Sequence, residues 1–174
     1  MINWFVLWTL TGKEKEVLFR VSEVPGIDRA MVPTDVLHYR KAGAWEPRES
    51  VLIPGYVFVR CAMSSTIYHR IRGIPHVIGW LGSDSMWPTI VPEEEMIPVI
   101  AINAGCDPAS YLKEVSIDRR KRRGRGSLTL LGQQQTLTFH PHTDATDKQP
   151  ENGQVDQRPA DDEGDQEPQE LPQG

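Results

Sequence analysis

The segment Trp4 to Leu10, WFVLWTL, is an unbroken run of large apolar and β-favouring residues. It predicts a strand covered on both faces. Thr11 then stands three positions before Glu14, the spacing of a capping box, in which hydroxyl and carboxylate satisfy the first backbone N–H groups of a helix. Val17, Leu18, Val21 and Val24 follow at helical spacing until Pro25-Gly26 stops the helix. RAMVP reads as a short strand. Val36 to Ile53 reads as a hairpin with the polar loop RKAGAWEPRE. In LIPGYVFVR, Leu52 to Arg60, a rigid Pro54-Gly55 turn enters a central strand. Alternation sends Val57 and Val59 to the core and puts Phe58 on the face of Tyr56. Ser64 or Ser65 caps a helix that runs to Arg72, ends at Gly73 and buries Ile67 and Ile71. Val77 to Leu81 is a further strand, closed by Gly82-Ser83-Asp84-Ser85. Pro92 and Glu93 to Glu95 open a last helix, which Pro98 is expected to kink or end early.

Strand runs interleaved with helices over residues 1–104 imply an α+β fold, a sandwich with an antiparallel sheet. Residues 105–112 read as a linker. Residues 113–142 hold three short strands, EVSID, SLTLLG and TLTF. From Thr143 onward there are ten acidic and two basic residues among many Pro, Gly and Gln. With so little to bury, 143–174 is expected to be a disordered acidic tail. The net charge of −5 therefore hides a mildly basic body. Repulsion of nucleic acid does not follow from the sum. Cys61 and Cys106 form no C-x-x-C pair and read as reduced thiols of a cytoplasmic protein. MINWFVLWTL lacks a basic leader and is too short to span a bilayer, so neither a signal peptide nor a membrane span is expected.

Five motifs stand in one order: WFVLWTLTGKEKEV, AMVPTD, LIPGYVFVR, IRGIPHVIGWLG and PTIVPEEE. Together, over about Asn3 to Ile100, they resemble the N-terminal domain of NusG-type transcription factors, including specialised RfaH- or LoaP-like paralogues. The resemblance implies a ferredoxin-like α/β sandwich. It also implies docking of an apolar concavity on the clamp helices of the RNA polymerase β′ subunit, and a role in transcription elongation or antitermination. The positions matching the docking surface are Trp4, Phe5, Ile53 and Tyr56. A Tyr offers a large apolar face with a polar tip, and such anchors carry about 2 kcal/mol or more of an interface. Ile53 stands where many relatives have Phe.

In a specialised branch of that family, the segment matching SSTIYHRIRG touches DNA at the transcription bubble. Ser64, Ser65, Arg70 and Arg72 are the matching positions, with the arginines suited to phosphate rather than bases. Arg119, Arg120, Lys121, Arg122 and Arg123 begin a run dense enough to attract DNA or nascent RNA whatever the sequence. IDRRKRR with SLTLLGQQQTLTF resembles the second half of a KOW module. No first half stands between Ala104 and Lys113, so the module is expected to be incomplete. Contacts with termination factor Rho or ribosomal protein S10 are accordingly not expected. No catalytic, phosphate-loop or zinc pattern is present, which implies neither an enzyme nor a cofactor. The competing reading is a free-standing nucleic-acid-binding module, with the sheet aromatics as a stacking platform and residues 119–125 as a tether.

Overall fold

The computed structural model describes residues 1–82 and 87–142. The expected acidic tail, 143–174, and the Ser83–Ser85 end of the sixth strand lie outside the described residues. The first strand, β1 (Asn3–Thr9), leads through α1 (Glu14–Ser22) to β2 (Ile27–Met31). A hairpin follows, β3 (Thr34–Lys41) and β4 (Ala44–Val51), and then β5 (Tyr56–Cys61), α2 (Ser65–Arg72), β6 (Val77–Trp80) and α3 (Glu93–Asn103). The main sheet is antiparallel in the order β2-β5-β1-β6. With the β3–β4 hairpin set aside, this is the ferredoxin-like arrangement. α1 and α2 cover one face, burying Val17, Val21, Ile67 and Ile71 against Phe5, Leu7, Val57 and Val59. On the other face Trp4, Val6 and Phe58 pack beneath Met96, Val99 and Ile102 of α3. The alternation of β1 and β5 thus feeds two separate cores.

Several local expectations change. The capping box does not form. α1 starts at Glu14 with Lys13 at the cap, and no side chain caps it. Thr11 is two positions too early, and the Glu14 carboxylate accepts backbone N–H groups of Gly12 at 2.8 Å and Gly55 at 2.7 Å. The loop expected at Arg40–Glu49 is almost all strand. Only Ala42 and Gly43 turn, at φ 48° and 88°, the left-handed pair that matches the twist of a two-residue hairpin. Pro47 is tolerated because this two-stranded sheet has a free edge on each strand. α3 runs through Pro98 to Asn103, held by burial of Met96, Val99 and Ile102 on either side of it. Ser64 does cap α2, accepting the Ile67 N–H at 3.2 Å.

Residues Met1–His142 form one compact unit. The stretch read as a linker holds a 3-10 turn, Pro108–Ser110, and then buried Leu112. Beyond it β7 (Lys113–Asp118), β8 (Arg123–Leu130) and β9 (Gln133–Phe139) make a three-stranded antiparallel sheet. Its inner face, Leu128, Leu130, Leu137 and Phe139, joins the core of Trp4 and Phe58. Two glycines permit this. A Cβ on Gly124 would overlap the Phe139 ring, and one on Gly126 would come within 2.7 Å of Leu112. The sheet is also tied by backbone N–H groups. Leu131 donates to Glu95 in the first turn of α3, and His140 to Asp35 of β3, each at 2.6 Å.

Candidate functional site

The Pro54–Gly55 turn brings β5 back against the end of β1. Gly55 has φ 83°, a left-handed conformation that glycine adopts without strain. Its carbonyl accepts the Thr9 N–H at 2.7 Å, and its own N–H reaches Glu14. The turn is thereby clamped between β1 and the start of α1.

The four positions expected to dock a partner are not equally placed. Trp4 and Ile53 are buried in the core that the C-terminal sheet covers, and Tyr56 packs half-buried against that core. Phe5 points to the opposite face, where its ring meets Trp80 edge-on with centroids 6.1 Å apart. The structure therefore gathers Trp4, Ile53 and Tyr56 and separates Phe5 from them, because neighbouring residues of a strand face opposite ways. Trp8 was missed by sequence reasoning. It pairs directly across from Tyr56 and is 51% exposed. The alternation Trp4, Val6, Trp8 would have found it.

On α2 the stripe Ile67 and Ile71 is buried, while Ser65, Arg70 and Arg72 are exposed and Ser64 is half-buried and engaged as the cap. Arg72 lies 3.4 Å from the Tyr68 hydroxyl. Of the sheet aromatics, Trp4 and Phe58 are buried, which leaves the Trp8–Tyr56 pair as the accessible one.

The basic run forms the turn between β7 and β8. Arg119, Arg120, Lys121 and Arg122 are exposed at its tip, and Arg123, half-buried, opens β8. The tip does not stand alone. Arg122 lies over the ring of Trp45 at 5.3 Å and Arg123 over Tyr39 at 4.7 Å, so the turn is seated on the β3–β4 hairpin. Each such pair adds about 0.5–1 kcal/mol at exposed positions. Nothing in the run itself signalled the two aromatics, which are more than 70 positions away.

Beside this junction His38 and His140 lie with ring centroids 4.7 Å apart. Burial, foremost, and the neighbouring His38 hold the His140 imidazole below its ordinary value of 6.5, against the pull of Asp35. Burial also raises the Cys61 thiol to about 11, while Cys106 is exposed. Among the described residues no group of three or more His, Cys, Asp or Glu could hold a metal ion, and no helix is long and apolar enough to cross a membrane.

Comparison with known proteins adds the relationship. The family described as "Transcription termination factor nusG" matches residues 2–100. The chain is 27% identical over 105 residues to a transcription termination/antitermination protein NusG of Buchnera aphidicola subsp. Baizongia pistaciae, covering 56% of this chain and 58% of that one. It is 28% identical over 103 residues to the corresponding protein of Escherichia coli O6:H1, covering 54% and 56%. The matches thus span little more than half the length of either relative. Among solved structures, one described as "Domain interaction in Thermotoga maritima NusG" superposes with TM-score 0.56 at 20% identity, over 80% of this chain and 94% of that one, which is a likeness of fold. The family is one of non-enzymatic adaptor factors. With the family pattern matched from the start of β1 into α3 and the fold shared beyond it, the chain belongs to the NusG family.

Proposed function

We propose that the protein is a transcription elongation or antitermination factor that binds RNA polymerase at the β′ clamp helices. The observation that carries this is the family match over residues 2–100, which contains the whole Pro54–Gly55 region. The part of the region open to a partner is the cross-strand pair Trp8 and Tyr56. An amphipathic helix laid across it would meet one exposed and one half-buried aromatic, the residue types that dominate such interfaces. Trp4 and Ile53 support Tyr56 from below in this arrangement, and they become contacts only if the C-terminal sheet lifts away. Bridging the clamp acts on pausing through better binding to one polymerase state than to the other.

DNA at the bubble or nascent RNA would be met by Arg70 and Arg72 on α2 and by the Arg119–Arg123 turn, all through phosphate. The β7–β9 sheet is the segment likened to half a KOW module, and no contact with Rho or ribosomal protein S10 is assigned to it. The test is binding of the full chain to an isolated β′ clamp-helix fragment. Tyr56→Ala and Trp8→Ala are each expected to weaken it at least tenfold. No binding by the unaltered chain would sink the proposal. Undiminished binding by both variants would refute the site.

A further inference from the structure

The β3–β4 hairpin, the outer face of the C-terminal sheet, the entry to α1 and the segment ending at Pro54 line a trough that includes neither Trp8 nor Tyr56. It consists of two adjoining clefts, of about 610 and 350 Å³, that share Thr138. Tyr39 and Arg48 of the hairpin form one wall of the larger, facing Thr136 and Thr138 of β9. Lys121, Arg123 and Arg125 line the smaller. The strand register explains the second wall. Ser116, Arg125 and Thr138 lie directly across from one another on β7, β8 and β9, and their alternation with buried Gly124, Gly126, Leu137 and Phe139 turns them outward.

The charge of the trough is positive in effect. Its three carboxylates are engaged: Glu14 by two backbone N–H groups, Glu49 by Lys15, and Asp118 by Lys121 at 3.7 Å. Arg48, Arg123 and Arg125 have no ion-pair partner among the described residues. Two residues along a strand advance about 7 Å, so Arg123 and Arg125 present two separate charges rather than one. Threonine hydroxyls between them supply further donors. Arg123 lies over the Tyr39 ring at 4.7 Å, which puts a guanidinium plane and an aromatic ring, the two groups on which a base can stack, side by side at the trough.

We propose that this trough binds a single-stranded polynucleotide, with phosphates on Arg48, Arg123 and Arg125 and a base stacked on the Arg123–Tyr39 pair. The proposal extends the reading of the basic turn as a nucleic-acid contact, by assigning binding to a site built from both hairpins. It does not depend on polymerase docking, since the protein alone should bind. Unpaired guanidinium groups, interspersed hydroxyls and a stacking plane are what an extended strand with free base faces requires. A duplex presents phosphates but keeps its bases stacked.

The experiment uses the full chain and fluorescein-labelled 20-nucleotide oligouridylate, 20-nucleotide oligothymidylate and a 20-base-pair DNA duplex, read by anisotropy between 0.05 and 0.3 M KCl. Both single strands are expected to bind at least fivefold more tightly than the duplex, and any preference between them identifies RNA or DNA as the source. Loss of one single-strand phosphate contact changes the log–log salt slope by about 0.7, which is about fivefold in affinity at 0.1 M salt. Arg48→Gln and Arg125→Gln are each expected to show that loss, and Arg48→Lys to keep most of the affinity. Both arginines are exposed, and an unchanged melting curve shows that each variant is folded. Three results would overturn the proposal: no binding of either single strand, duplex binding as tight as single-strand binding, or full affinity in folded Arg48→Gln while Arg119→Gln/Arg120→Gln abolishes it. The last would leave the turn as a simple tether.

Discussion

Glu14 is the residue whose replacement tests the frame of the proposed docking region most directly. Its side chain is buried, and its carboxylate joins the start of α1 to the Pro54–Gly55 turn through the Gly12 and Gly55 N–H groups. The bond to Gly55 is itself buried, so Glu14→Ala leaves that donor without a partner, at a cost of about 1.5–3 kcal/mol for a hydrogen bond to a charged group. Gly12 is exposed and regains water, which limits its share to about 1 kcal/mol. The sum is about 3 kcal/mol. For a folded unit of this size, about 3 °C in Tm accompanies each kcal/mol, so the melting temperature should fall by roughly 10 °C. Glu14→Gln keeps the volume and one acceptor oxygen but sets an amide NH2 against a backbone donor, and should lose about half as much. Thermal and urea unfolding give the two values. Hydrogen exchange of the Gly55 amide gives the local one, expected to rise in both variants. A Glu14→Gln protein within 0.5 kcal/mol of wild type, with Gly55 still protected, would show that the clamp is not made by this carboxylate.

Other outcomes follow from the same structure. Gly124→Ala drives a methyl into Phe139, which is fully buried, and should cost about 1–3 kcal/mol in denaturant unfolding, while Gly79→Ala, where no atom lies within 4 Å, leaves Phe139 undisturbed and should cost far less. The lowered His140 value means that the unfolded chain takes up its proton first. Stability from this group is therefore complete above pH 6.5 and is lost as pH falls through the folded value. Melting at pH 7.5 and 5.0 should show the loss, and His140→Gln should reduce it. Cys106 is exposed and Cys61 is buried with its thiol raised to about 11, so an alkylating reagent at pH 8 should modify one thiol in the native protein and two after unfolding, as counted by mass spectrometry.

Much of the architecture was legible in local patterns. The strands and helices through Asn103 come in the predicted order, because apolar alternation and helical spacing are short-range signals that each segment carries in its own residues. Where prediction failed, a distant group decided. Glu14 has the spacing of a capping box, yet its carboxylate serves Gly55, 41 residues away. The charged AWEPRE reads as loop, yet it pairs strand to strand because Ala42-Gly43 makes a two-residue turn. RGRG reads as part of a basic run, yet its glycines are spaces for Phe139 and Leu112.

The candidate sites divide in the same way. The sequence by itself determined the family pattern, the turn at Pro54-Gly55, the capped helix α2 and the density of positive charge at Arg119–Arg125. Those are properties of residue type and near spacing. Tertiary structure alone decided that β1 pairs with β5 in the register that sets Trp8 across from Tyr56, and that the inner face of β7–β9 covers Trp4 and Ile53. It alone seated the basic turn on Tyr39 and Trp45. Burial and cross-strand contact are set by which surfaces pack together, and that depends on the summed apolar area of segments more than a hundred residues apart rather than on any one segment.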